Sequence, residues 1–249
     1  MHQVTKRIDL NCDLGEGYND APIFPYISSC NIACGGHYGS KKSIHQAIAS
    51  ALEHEVAIGA HPAYPDRENF GRKVLDISID KLKKSIADQL ETFINICAQL
   101  NTKPTHIKPH GALYNEMAKD EPLSHSILQL FTEICPDVVV YGLSGSATER
   151  VAQEMSIPFI KEGFADRVYS QNKSLVSRSL PGAVLTEWTQ IQSQLDGLLR
   201  GQLNTIDNKK ISLKIESICL HGDTPSASNI IPHIYEYVKS KGYAVHSYR

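Results

Sequence analysis

Residues 105–115 read THIKPHGALYN, and the fold follows from how this stretch breaks. The run Thr105–Ile107 suits a short strand, but Lys108, Pro109, His110 and Gly111 cut it off at once. Proline has no backbone donor, so Pro109 ends the ladder. Lys108 and His110 are thereby set at a strand end, with Tyr114 and Asn115 just beyond. The same design recurs. Ile8–Leu14 runs into Asn11, Asp13 and Glu16, and Ser28–Cys34 into Gly35, Gly36 and His37. Val56–Ala60 runs into His61, Pro62 and Asp66, and Ile218–Leu220 into His221, Gly222 and Asp223. In a closed parallel barrel the strand C-termini converge on one face, where the chemistry sits. One histidine at a strand end is an ordinary loop residue; four in one repeated context point to a site.

Helical patterns separate these strands. Ser40 reads as the N-cap of a helix running to about His54, and Ser78 or Asp80 as the cap of one running to about Leu100. Leu82, Ile86, Leu90, Phe93, Ile94 and Cys97 recur at three and four along the second, so it is amphipathic. Further helices are expected over 123–135, 146–155, 187–199 and 226–241, and strands over 138–141, from 158, over 213–220 and over 244–246. Alternating strands and helices predict βα units around a parallel sheet. The expected architecture is one α/β domain over residues 1–249, a distorted TIM-like (β/α) barrel of seven or eight parallel strands. An open doubly wound sheet is the second choice. Residues 161–182 show no clear period but hold Glu162, Asp166, Arg167, Tyr169 and Arg178. An irregular stretch of that length inside a compact chain is often functional. It is expected to fold over the site and bring Asp166 or Arg167 to the rim.

The composition narrows the function. The 249 residues are 41% hydrophobic, and 25 basic against 27 acidic side chains leave a formal charge of -2 with no charged block. That is no footprint for nucleic acid or an anionic membrane. No apolar run approaches the ~20 residues that span a bilayer. The opening MHQVTKRIDL has no apolar core of a secretory signal. The 6 cysteines, at 12, 30, 34, 97, 135 and 219, form no Cys-x-x-Cys pair and read as buried reduced thiols of a cytoplasmic protein.

The strand ends bring together Asn11, Asp13, Glu16, His37, His61, Lys108, His110, His221 and Asp223. Carboxylate with imidazole serves a general acid–base pair near neutral pH, and equally a zinc, manganese or iron ion. The residue types leave both open. His2, His45, His54, His106, His125, His233 and His246 are read instead as rings satisfying backbone groups. Gly35–Ser43 looks like a phosphate cradle but lacks the Walker ending, and is better read as a glycine turn with an N-cap. Ser144 in GLSGS does not make a Gly-x-Ser-x-Gly elbow.

Together DLNCDLGE (9–16), NIACGGH (31–37), AIGAHPAYPD (57–66), FGR (70–72), KPHGALYN (108–115), FADRVY (164–169), SRSLPGA (177–183) and LHGDTP (220–225) resemble the LamB/YcsF family, the A subunits of bacterial ATP-dependent 5-oxoprolinases. The chain departs from the family in a short loop after Glu16 and in Ser40, where the family carries an acid. The resemblance implies opening of the lactam of 5-oxo-L-proline, or of its phosphorylated form, to L-glutamate. ATP would be used on partner subunits B and C. On that reading Asp13 or Glu16 with His110 would handle water and protons. Lys108, Arg72 and Arg167 would meet a carboxylate or phosphoryl group, and Asn11, Asn31 and Asn115 would orient water or hold an oxyanion. The family is similar in fold to metal-dependent polysaccharide deacetylases, and that analogy would put a divalent metal on Asp13, His37 and His61. A stand-alone metal-dependent amidohydrolase and a non-catalytic scaffold subunit are the alternatives.

Overall fold

The structure is a computed structural model that describes residues 6–224 and 227–248. His2, Pro225 of the LHGDTP motif and the expected helix start at Ser226 lie outside them. Seven parallel strands close into a barrel in the order β1 (Lys6–Leu14), β2 (Ser29–Ala33), β3 (Ala57–His61), β4 (His106–Ile107), β5 (Val139–Leu143), β6 (Phe159–Phe164) and β9 (Ser217–His221), with β9 returning to β1. The open sheet is thereby excluded. Strand β10 (Tyr243–Val245) adds to the outer, N-terminal part of β1, where Lys6 lies opposite Tyr243. A short antiparallel hairpin, β7 (Gln202–Asn204) with β8 (Lys210–Ser212), stands apart from the barrel.

Helices α1 (Lys41–Glu53), α2 (Ile79–Gln99), α4 (Glu121–Ile134), α5 (Ala147–Glu154), α6 (Trp188–Arg200) and α7 (Ala227–Ser240) surround the strands. Their starts follow local chemistry. Ser40, Ser78 and Ser146 accept from the backbone N–H three residues on, and Ser40 completes a capping box with Ser43. The Gly35–Ser43 turn is thus an ordinary cap. Helix α4 starts earlier than the apolar pattern suggests, because Asp120 caps it and Pro122 is tolerated in the first turn.

Three stretches differ from the sequence expectation. Tyr114 and Asn115 lie on a short helix, α3 (Gly111–Met117), where only a strand-end turn was read. Gly111 starts it at φ +54°, and a Cβ there would come within 2.7 Å of the Gly71 carbonyl oxygen. The KPHG and FGR motifs therefore pack backbone on backbone. Lys161–Phe164 complete β6 instead of belonging to an irregular stretch. The expected strand over 213–220 is confined to Ser217–His221, while Lys210–Ser212 belong to the hairpin.

The barrel interior is polar, and β1 shows why. Leu10, Cys12 and Leu14 pack in the apolar core, while Asp9, Asn11 and Asp13 bond across the barrel. Low in the barrel, Asp9 accepts hydroxyl protons from Ser28, Ser29 and Ser217. Asn11 comes next and Asp13 opens at the mouth. Each added carboxylate or amide is matched by a partner, as burial demands.

Candidate functional site

At the C-terminal mouth lies a cavity of about 290 Å³, lined by Asp13, Glu16, His61, Arg72, Lys108, His110, Tyr114, Asn115, Arg167, His221 and Asp223 among others. Eleven of the residues singled out in sequence therefore meet in one place. Asn11 and Asn31 lie beneath it, and Asp166 and His37 stand behind its lining.

The floor is an ionic knot around Lys108, a fully enclosed lysine. Its Nζ is 2.9 Å from Asp13 Oδ1 and 2.7 Å from Glu162 Oε1, and donates to Asn11 Oδ1 and Cys219 Sγ. Burial pulls the ammonium towards neutrality, but the carboxylates of Asp13 and Glu162 outweigh it and hold its pKa well above the usual lysine value. For Asp13 burial works upward, yet His61 and Lys108 hold the carboxyl well below its usual range. Glu162 was no sequence candidate. Its carboxylate takes Lys108 Nζ, Asn11 Nδ2 at 2.9 Å and the Tyr114 hydroxyl at 2.8 Å. His106, read as a ring bonded to backbone, instead joins side chains, with Nε2 at 2.9 Å from Asn31 Oδ1. His54 and His246 do bond carbonyls, of Ser50 and Ser247. His45, His125 and His233 are outside the core, His233 against Trp188.

Beside the knot three imidazoles cluster. His37 and His110 stack with ring centroids 3.6 Å apart, and His61 meets both rings edge-on. His61 Nε2 lies 3.3 Å from Asp13 Oδ2 and 3.0 Å from His110 Nδ1. His37 Nε2 faces Glu16 Oε1 at 2.8 Å, not Asp13. Two sets of ligand atoms lie within 4.8 Å of one another, Asp13 with His61 and His110, and Glu16 with His37 and His110. The trio suggested by fold analogy is not one of them: His110 takes the place expected of His37.

The opposite wall carries a carboxylate–imidazole pair. His221 Nδ1 lies 3.0 Å from Asp166 Oδ2, which also accepts the Thr224 hydroxyl at 2.6 Å and the His221 backbone N–H. The ring lies against Phe164. Burial raises the Asp166 carboxyl, but His221 overrides it and the group sits well below the usual range. Asp166 is wholly buried, so it supports His221 from behind and is not itself at the rim.

The irregular stretch does fold over the cavity: Leu175 to Ser179 line it with Arg167. Arg167 donates from Nη2 to the Val176 carbonyl at 2.6 Å, and its buried Nε has no partner. Burial and the nearby Arg178 lower its pKa to about 10. Arg178 and Arg72 both pair with Asp223, closing the strap onto the mouth. All six cysteines are free, and burial pushes the thiols of Cys12, Cys30, Cys34 and Cys219 far up, which suits packing and not attack.

A closed parallel barrel with acids, imidazoles and arginines gathered at its C-terminal mouth has the architecture of a barrel enzyme. The sequence matches the LamB/YcsF family over residues 8–249, and the chain belongs to that family. It is 42% identical over 233 residues to the 5-oxoprolinase A subunit of Haemophilus influenzae (strain PittEE), covering 93% of this chain and 95% of that one. It is 35% identical over 246 residues to the 5-oxoprolinase A subunit of Bacillus cereus, covering 96% and 97%. The crystal structure of the lactam utilization protein from Thermus thermophilus superposes with a TM-score of 0.89 at 29% identity, covering 97% of this chain and all of the other. No helix among the described residues is long and apolar enough to cross a membrane.

Proposed function

We propose that this single-domain chain is the ring-opening subunit of a cytoplasmic ATP-dependent 5-oxoprolinase, acting with partner subunits that activate 5-oxo-L-proline by phosphorylation. The observation that carries the reading is the cavity itself. At about 290 Å³ it suits a small ligand, with a proton-carrying His221–Asp166 pair on one wall and an unpartnered buried guanidinium nitrogen on another. The names of the relatives supply the lactam. A lactam acid has one carboxylate, which the guanidinium of Arg167 on the cavity wall would receive. Arg72 and Arg178, now sharing Asp223, suit the added phosphoryl group. Water then adds to the activated ring carbon. His221 takes the proton from that water, and Asp166 holds the ring in the required tautomer and steadies its charge. The ring nitrogen takes up both protons of that water as its bond to carbon breaks, leaving an acyl phosphate, and a second water hydrolyses this to glutamate and inorganic phosphate. His110 is less suited to this task, since its Nε2 is tied to the Phe70 carbonyl.

The chain alone should not turn 5-oxoproline into glutamate, with or without ATP. It has no Walker motif, and proton transfer supplies only ~10²–10⁴-fold against an unactivated amide. Glutamate and ADP are measured for the chain, for the partner subunits and for the mixture. Both products should need the mixture. Full-rate turnover by the chain alone would favour the stand-alone amidohydrolase, and by the partners alone the scaffold subunit.

The pH dependence has a defined sign. Burial lowers the His221 pKa from its usual 6.5, Asp166 and Asp13 oppose that, and Arg178 adds to it. The neutral ring, the form that accepts a proton, therefore persists below pH 6.5. The acid limb of kcat/KM for the assembled enzyme should lie below that value; a limb above about pH 7 would remove His221 as the base.

A further inference from the structure

We propose that an arc of exposed side chains around the cavity mouth, from Tyr18 through Tyr38 and Val74 to Leu180, is the docking surface for the protein subunit that hands over the phosphorylated lactam. Eight large apolar side chains are exposed among the described residues. These four stand on loops that follow the C-terminal ends of β1, β2, β3 and β6. The others are dispersed: Leu52 near the end of α1, Ile79 at the start of α2, Ile206 in the hairpin turn and Tyr248 in the tail. Tyr18, Val74 and Leu180 are each more than half exposed, at 54%, 57% and 53%. Lone exposed apolar residues are ordinary, whereas several on one face mark a contact surface.

Contacts join the four into one surface. A Cβ on Gly17 would collide with the Tyr38 ring, so Tyr38 packs against the residue before Tyr18. The ring centroids of Tyr38 and Phe70 are 6.1 Å apart. The Arg72 guanidinium lies 4.8 Å from the Phe70 centroid, with Val74 just beyond it in the chain. Arg72 and Arg178 share Asp223, and the Ser177 carbonyl accepts the Leu180 N–H at 3.0 Å. Arg72, Arg178 and Asp223 line the cavity, so the arc borders its opening. Tyrosine and arginine among aliphatic neighbours are the side chains on which protein interfaces centre. The occupant follows from the chemistry, and here the inference rests on the lactam reading. A phosphorylated lactam is made on another chain and is consumed by water, so it has to enter this opening without crossing bulk solvent. The chain that makes it must therefore sit on the rim while it gives it up. Seated there, it buries the four apolar side chains and closes the mouth against water.

The test is assembly. The full chain and its variants are titrated with the phosphorylating subunits B and C, and glutamate formation is followed against their concentration. Tyr18→Asp, Val74→Asp and Leu180→Asp should each raise the half-saturating concentration roughly 30-fold or more, as loss of a central interface contact does. The limiting rate should stay within a few-fold of the unaltered protein. Leu52→Asp and Ile206→Asp should change neither. A photo-crosslinking amino acid at position 180 should capture a partner subunit and one at position 206 should not, an arm that needs no charged variant to fold. The inference is overturned if rim and control variants half-saturate alike, or if position 206 is captured in place of 180. It is also overturned if the rim variants alter only self-association in sedimentation, which makes the occupant a second copy of this chain. An unaltered mixture that makes no glutamate removes the lactam reading and this inference together. Glutamate formed equally well by rim and control variants at every partner concentration removes this inference alone.

Discussion

Replacing Lys108 with alanine should cost about 3–5 kcal/mol of folding stability, because it strands two carboxylates in a closed interior. Lys108 is 2% exposed, and Asp13 and Glu162 both depend on its ammonium, at 2.9 Å and 2.7 Å. Against a total of about 5–15 kcal/mol, such a loss leaves the variant barely folded. Removing a matching charge should relieve much of it. The pair Lys108→Met with Glu162→Gln leaves fewer uncompensated charges and should recover a large share of the lost stability. Urea unfolding of the wild type, Lys108→Met, Glu162→Gln and the double variant closes the cycle, with Lys108→Ala measured beside them. If Lys108→Ala shifts stability by less than ~1 kcal/mol, the knot does not support the barrel.

The second large effect is on rate. Asp166→Asn preserves volume and leaves His221 facing an amide in place of a carboxylate. The wrong tautomer then becomes accessible and the imidazolium loses its counter-charge. Turnover of the assembled enzyme should fall ~10²–10⁴-fold while circular dichroism stays unchanged. Because Asp166 raises the His221 pKa against burial, its removal should also move the acid limb to lower pH. A purely structural Asp166 would show neither change in a folded variant. Turnover within a few-fold of wild type would assign the proton to another group.

The strands and helix starts were legible because their signals are local. Ser40, Ser78 and Ser146 each announce a helix from the position before its first turn, and Pro109 marks the end of β4. The strand-end residues of the candidate site were legible for the same reason, since repetition of one context needs no knowledge of contacts. Glu162 was hidden by its own chemistry. The strand FIKEGF carries Lys161 and Glu162 at adjacent positions, so its period breaks where the interior turns polar. Only pairing across the barrel, with Asn11 and Lys108, makes Glu162 intelligible. The division between His37 and His110 was equally hidden, because sequence does not say which imidazole faces which carboxylate. Helix α3 escaped notice because Gly111 and Pro109 read as punctuation, although a glycine at positive φ can also begin a helical turn.

The closure of β9 onto β1 also dictates an order of events. Asp9 and Ser217 bond across a separation of 208 residues, and Asp13 and His221 are register partners on the same seam. On a ribosome adding ~5–20 residues each second, the first strand waits at least about ten seconds for its second neighbour. Until then Asp9, Asn11 and Asp13 face a gap that only the late strand fills. Nascent chains should therefore acquire protease resistance in one late step, after β9 emerges, with helices formed earlier on an open sheet. Such long-range pairing belongs among slow-folding topologies. The machinery at the mouth is correspondingly absent from every shorter intermediate, so a half-made chain can hold neither the cavity nor its ligand.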